Sequence, residues 1–239
     1  MKFYVAGYYL IQGSLKQESM DKDNLLPEKI WSGSSHICQK IPDSWVLGWT
    51  SNRGDIEVEH ELERARAMTK LSLEDFSLAQ KEFNELLREN QFGFPNVFMN
   101  SDVALEKYHQ HFAAVPDLKL LGLGLPETYL EQFFTQYSAE EFKPFSVNGV
   151  HLKLSQKKIC DAKGWIGYDL LGFDGADYCS FLCGSMESEI YEKYGVRYNE
   201  YGMIAEFDQA ERVSQAIASG EQTAEEGFWA PWLVFELKI

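Results

Sequence analysis

Cysteine, basic charge and long apolar runs are all scarce in this 239-residue chain, and each scarcity removes a class of protein. Its four cysteines (Cys38, Cys160, Cys179, Cys183) are too few and too irregularly spaced to staple a small secreted scaffold, and they fit reduced thiols in a cytoplasmic protein. The 22 Lys and Arg are outnumbered by 37 Asp and Glu, giving a net charge of −15, and no basic run exceeds the pair Lys157-Lys158. Such a chain repels a phosphate backbone, so nucleic acid is not an expected partner. No stretch approaches the roughly 18 apolar residues of a membrane span, so no membrane partner is expected either. The apolar stretch from Met1 to Ile11 does not read as a secretion signal. It holds a single positive charge, three tyrosines and a glycine, and no small-residue cleavage site follows it.

Short chemical motifs are equally sparse. No Gly-x-Ser-x-Gly frames a nucleophilic serine. The run Leu121-Gly122-Leu123-Gly124-Leu125-Pro126 stands where a phosphate loop would, between a strand and a helix. It lacks the third glycine of a dinucleotide fingerprint and any Gly-Lys-Ser/Thr, and its glycines are better read as letting a helix approach the sheet. Asp174-Gly175-Ala176-Asp177 has turn chemistry rather than the alternating ligands of a calcium loop. His109 and His111, two apart on a helix, point about 200° apart, and His36 with Cys38 lack further ligands. Neither a metal nor a cofactor is expected.

What the chain has in quantity is aromatic side chains: 6 Trp, 12 Tyr and 16 Phe, most of which must be core. At this length folding removes about 70% of the exposable surface, enough for a core without staples. Lys2 to Gln12 reads as a strand, Gly13 to Asn24 as a loop, Ile30 to Thr50 as one or two short strands, and Asp55 to Glu63 as a helix with acidic residues at its start. The box Ser72-Leu73-Glu74-Asp75, followed by Phe76, Ala79, Phe83, Leu86 and Leu87 on one face, predicts a helix to about Glu89. Next come a strand over 96–99, a helix capped by Ser101 and a strand over 118–123, which together could form a parallel crossover. Gly124 then turns the chain into a helix starting at Pro126.

After a featureless 138–163, Trp165 to Phe173 and Tyr178 to Cys183 predict a hairpin. A helix capped by Ser185 and ending at Gly195 follows, then one capped by Asp208. The last is a terminal strand over 229–237 whose proline belongs at its start or on an edge. This order implies an α+β fold, a mixed sheet with flanking helices. Residues 1–239 form a single globular domain, and a two-lobed variant would split it into 1–145 and 146–239, each with a small sheet.

Two functional readings follow. From Asp161 to the end, fifteen acidic residues face five basic ones, so two thirds of the net charge sits in the last third of the chain. Within it, Asp174, Asp177, Tyr191, Glu192, Tyr194, Tyr198, Glu200 and Tyr201 have the composition of a protein-binding face, aromatic anchors ringed by charge. This suggests a non-enzymatic cytoplasmic module that binds a basic protein partner, in the manner of an inhibitor or immunity protein. The alternative is a cysteine-dependent hydrolase or transferase using Cys179 or Cys183, with a histidine such as His151, His36 or His60 brought up by the fold. On a strand those two cysteines lie on the order of 13 Å apart, too far for a disulfide or a shared ion.

Overall fold

The computed structural model describes residues 1–12, 63, 70–93, 97–114, 118–138, 146–174, 178–182, 186–224 and 226–238. The expectations for 13–50 and 55–62, including His36, Cys38 and His60, lie outside them, as do Asp177, Cys183 and Ser185.

Seven strands make one sheet: β1 (Phe3–Gln12), β2 (Phe92–Gly93), β3 (Val97–Phe98), β4 (Leu118–Pro126), β5 (Trp165–Phe173), β6 (Tyr178–Ser180) and β7 (Phe228–Leu237), in the order β2-β3-β1-β4-β7-β5-β6. The described helices are α1 (Leu73–Arg88), α2 (Ser101–Lys107), α3 (Leu130–Gln136), α4 (Ser146–Ser155), α5 (Met186–Tyr194) and α6 (Phe207–Ala218). The fold is α+β.

Every neighbouring pair of strands is antiparallel, so the sheet is not mixed. Strands β3 and β4 do run in the same direction around α2, but β1 lies between them and pairs antiparallel with both, which removes the expected parallel contact. Strands from both sides of residue 145 join through the β4–β7 ladder. The described strands therefore form one sheet.

Alternation along β7 assigns the layers. Phe228, Ala230, Trp232 and Val234 face a cluster that includes Leu130 and Phe133 of α3 and Val150 and Leu154 of α4. Leu233 and Phe235 face α1 and α2, and Trp229 faces the cluster built on α5 and α6. Helices therefore cover both sides of the sheet. A bulge between Val5 and Gly7 keeps β1 in register with this division, with Tyr4, Ala6 and Tyr9 facing α3 and α4 while Val5, Tyr8 and Leu10 face α1 and α2.

Local chemistry explains most of the boundaries. The Ser72 hydroxyl accepts the Asp75 amide at 3.1 Å and starts α1, as its box predicts. Helix α2 is capped one residue earlier than expected, by Asn100, whose Oδ1 accepts the Asp102 amide at 2.9 Å. Glu206 rather than Asp208 occupies the cap position of α6, without a side-chain bond. The 138–163 segment is not featureless, since it contains α4. Val150, Leu152 and Leu154 alternate as on a strand, yet Val150 and Leu154 are the buried helical pair and Leu152 is 55% exposed. Gly149 interrupts the helical pattern because a Cβ there would stand 3.0 Å from both the Asn90 carbonyl and the Met99 methyl.

The glycines of 121–125 are strand residues, not a turn. A Cβ on Gly122 would lie 2.2 Å from the Phe235 ring, and one on Gly124 2.6 Å from Cys160 Sγ, so they admit an aromatic ring and a thiol rather than a helix. Pro126 closes β4 and precedes a 3₁₀ turn, Glu127–Tyr129, ahead of α3.

Helices α1 and α2 are joined by one ionic cluster. Lys107, only 7% exposed, donates to Glu82 at 2.7 Å and to Gln110 at 2.8 Å, and His111 Nε2 meets the same Glu82 oxygen at 3.0 Å. A π-helical turn, Tyr108–Phe112, buries both His111 and Phe112. Burial pushes the Glu82 carboxyl up, but the hydrogen bonds and charges of Lys107 and His111 outweigh it and hold the group below the usual carboxylate range. A depressed folded-state value means stabilisation that is present above the unfolded-state value and is lost as pH falls through the folded one. Glu82→Gln is therefore expected to cost about 1–3 kcal/mol in urea unfolding at pH 7. That cost should shrink as the pH drops to about 4 and below. An equal loss at both pH values would contradict the pairing.

Candidate functional site

The segment from α5 to α6 carries most of the residues singled out in the sequence. Helix α5 ends at Gly195, whose φ of +63° reverses the chain in a conformation that favours glycine. The following loop is organised by Asn199, a residue the sequence reading passed over between Tyr198 and Glu200. Its Oδ1 accepts the amides of Tyr201 (2.9 Å) and Met203 (3.2 Å), and its Nδ2 donates to the Ile166 carbonyl at 2.6 Å. Short bridges Tyr198–Ile204 and Tyr168–Ile204 fasten the loop to β5.

The predicted tyrosines do not share one patch. Tyr191 is 37% exposed on α5 beside exposed Glu192. Tyr194 and Tyr198 are half-buried against the α5–α6 cluster, whereas Tyr201 packs against the cluster under α3 and α4, on the other side of the sheet. Glu200 is exposed in the loop and Asp174 is exposed at the end of β5.

Beside Tyr194 a polar network ties α5 to the turn after α6. Gln222, 4% exposed, donates to Glu189 at 2.8 Å and accepts from Lys193 at 3.2 Å, and Lys193 also reaches Glu221 at 3.6 Å. The hydrogen bond to Tyr194, with the charge of Glu221, holds the Lys193 ammonium above its usual range. Glu192, Glu200, Glu206, Asp208 and Glu226 are exposed on residues 192–226, and the exposed cations of that segment are Lys193, Arg197 and Arg212.

A cleft opens next to this layer, at a break in the sheet. The β4–β7 ladder ends at Gly124–Leu233, and from there to Phe228 strand β7 has, among the described residues, β5 alone beside it. Pro231, opposite Leu170, falls in this stretch, so its missing N–H interrupts no ladder with β4. The terminal strand is thus central along half its length and an edge along the other half. Ser214 of α6 donates to the freed Trp229 carbonyl at 3.0 Å. Into the gap left by β4 come α3 from one layer and α6 from the other. Between them lie a cavity of about 540 Å³, lined by Gln132, Gln136, Thr223 and Glu226 among others, and one of about 300 Å³, lined by Thr128, Tyr129, Glu211 and Gln215 among others. Gln132, Ala218 and Trp229 line both. Burial, then the charge of Glu211, raises the Tyr129 phenol above its usual range, against a lowering hydrogen bond with Ser214.

For the thiol alternative, Cys179 lies on β6 opposite Gly172, and His151 lies on α4 with its ring 4.7 Å from that of Phe134. Burial lowers the His151 imidazole below its usual range. Cys160, half-buried, is a free thiol whose pKa burial pushes up to about 12. Among the described residues no group of three His, Cys, Asp or Glu is placed to hold a metal ion, and no helix is long and apolar enough to cross a membrane. Iodoacetamide labelling of Cys160 near pH 8, followed by peptide mass spectrometry, should run about a thousandfold slower in the folded protein than in urea. Comparable rates in the two states would contradict the buried, protonated thiol. No protein-family model, curated protein or solved structure matches the chain.

Proposed function

We propose that this is a non-enzymatic binding protein whose α5–α6 layer engages a basic protein partner, as an inhibitor or immunity-type protein does. The observation that carries the reading is the exposure of Glu192, Glu200, Glu206, Asp208, Glu221 and Glu226 on one segment of the fold, where Lys193 is already engaged by Glu221. Charges of one sign concentrated in a layer steer an oppositely charged surface and raise its association rate. Exposed pairs contribute little each, so the interaction needs a desolvated anchor, and Tyr191 beside Glu192 supplies the amphipathic side chain for it. At physiological ionic strength the Debye length is about 8 Å, which makes such steering sensitive to added salt.

The thiol-dependent alternative draws less support. It rests on Cys179 or Cys183 with His151; Cys179 lies on β6 and His151 on α4, and Cys183 lies outside the described residues.

The test is capture from native lysate by the full-length protein at low and high salt, with identification by mass spectrometry. One stoichiometric basic partner should be retained at low salt and released at high salt. Glu192→Lys and Asp208→Lys should each weaken its purified complex about three- to tenfold without lowering the melting temperature. Tyr191→Ala should do the same through faster dissociation. Retention indifferent to salt and to both charge reversals would overturn the proposal.

A further inference from the structure

The cleft between α3 and α6 differs chemically from the acidic layer beside it. Thr128, Gln132 and Gln136 recur every four residues along one wall, and Glu211 and Gln215 do so along the other. Residues four apart on an α-helix share a face, so Gln132 with Gln136 on α3 and Glu211 with Gln215 on α6 line up along each wall, and Thr128 adds to the first from the preceding 3₁₀ turn. Gln132, Gln136 and Gln215 are exposed, and among the described residues the Gln132 and Gln215 amides have no protein partner. Gln222, by contrast, is committed to Glu189 and Lys193.

Trp229, which lines both cavities, is 8% exposed and held rigidly. Its ring lies on Gly172, where a Cβ would stand 2.5 Å from Cζ2, and it meets Phe181 edge-on at 5.5 Å. An aromatic residue fixed before binding loses little freedom when a ligand arrives.

We propose that this cleft binds a saccharide, a neutral polyhydroxylated ligand held by Gln132, Gln136 and Gln215 with Trp229 as its apolar contact. A primary amide offers two donors and an acceptor, and a sugar hydroxyl both donates and accepts, so a row of glutamines matches a row of hydroxyls without stranding a charge. Among the described lining residues none is Lys or Arg, and Glu211 and Glu226 stand at the cleft. Phosphorylated and carboxylated ligands are therefore disfavoured, whereas carboxylates accept readily from sugar hydroxyls. Cavities of about 540 and 300 Å³ fall in the range of small-molecule sites. The proposal does not depend on the basic-partner reading: Glu226 is common to both, but the glutamines and Ala218 that test the cleft are not among the acids and tyrosine of that reading.

The experiment is saturation-transfer NMR followed by calorimetry on the full chain. The probes are glucose, galactose, mannose, N-acetylglucosamine, maltose and cellobiose, with spermidine and inorganic phosphate as charged comparators. At least one saccharide should bind in the millimolar range or tighter while phosphate does not. Gln132→Ala and Gln215→Ala, both exposed and so tolerated by the fold, should each weaken that saccharide about tenfold. Ala218→Trp, which fills the space common to both cavities, should abolish binding with an unchanged melting temperature. No saccharide bound across the panel, binding of spermidine alone, or saccharide binding unaffected by the glutamine variants and by Ala218→Trp would overturn the proposal.

Discussion

The pairing of β7 with β4 on one side and β5 on the other is the constraint on which the rest of the structure depends. Strands β1 to β4 come from the first 126 residues, β5 and β6 from 165–180, and among the described strands β7 alone pairs with both sets. Its side chains enter all three core clusters. Trp232 alone, fully buried and donating through Nε1 to the Leu171 carbonyl at 3.0 Å, withdraws an area worth roughly 4–6 kcal/mol at about 25 cal/mol per Å². Phe235 lies against β4 because Gly122 leaves room for its ring. The ladders it makes are distant in sequence, so the loop-closure entropy of joining them must be met before most of the core can form.

The same strand creates the cleft. Because β7 runs on past the end of the β4 ladder, its freed backbone has to find partners elsewhere, and the Ser214 hydroxyl of α6 supplies one at Trp229. Helices from opposite layers flank the gap, and their exposed glutamines face a space that neither layer would make alone. The acidic α5–α6 layer rests on the same support, through Trp229, Leu170 and the Asn199 loop that ties it to β5.

Local chemistry was readable from the sequence, and long-range placement was not. The Ser72 box and Gly195 after α5 express their role within a few residues and stand where the pattern puts them, and the hairpin forms with its second strand described as Tyr178–Ser180, short of the expected Cys183. Helix α4 escaped because Val150, Leu152 and Leu154 alternate and Gly149 interrupts the helical signal, a glycine required by Asn90 and Met99 some fifty residues away. Pro231 suggested the start of the strand or an edge, and it falls in the half of β7 before Leu233, which β4 does not reach. Among the predicted site residues, Tyr191 and Glu192 are neighbours on one helix, while Tyr201 turns to the far side of the sheet from Tyr194. The cleft had no sequence signal. Gln132 and Gln215 read singly as ordinary exposed helix residues, and no pattern within either helix says that the two face one another.

Native-state hydrogen exchange, followed residue by residue with increasing denaturant, tests the central role of β7 most directly. If β7 ties the sheet together, the amides of Val234 and Phe235 should exchange only through global unfolding, with the same free energy and denaturant dependence as those of β1, β4 and β5. Exchange of residues 228–237 through a cheaper opening, while β1 and β4 stay protected, would show that the sheet holds without its last strand and would contradict the central role assigned to it.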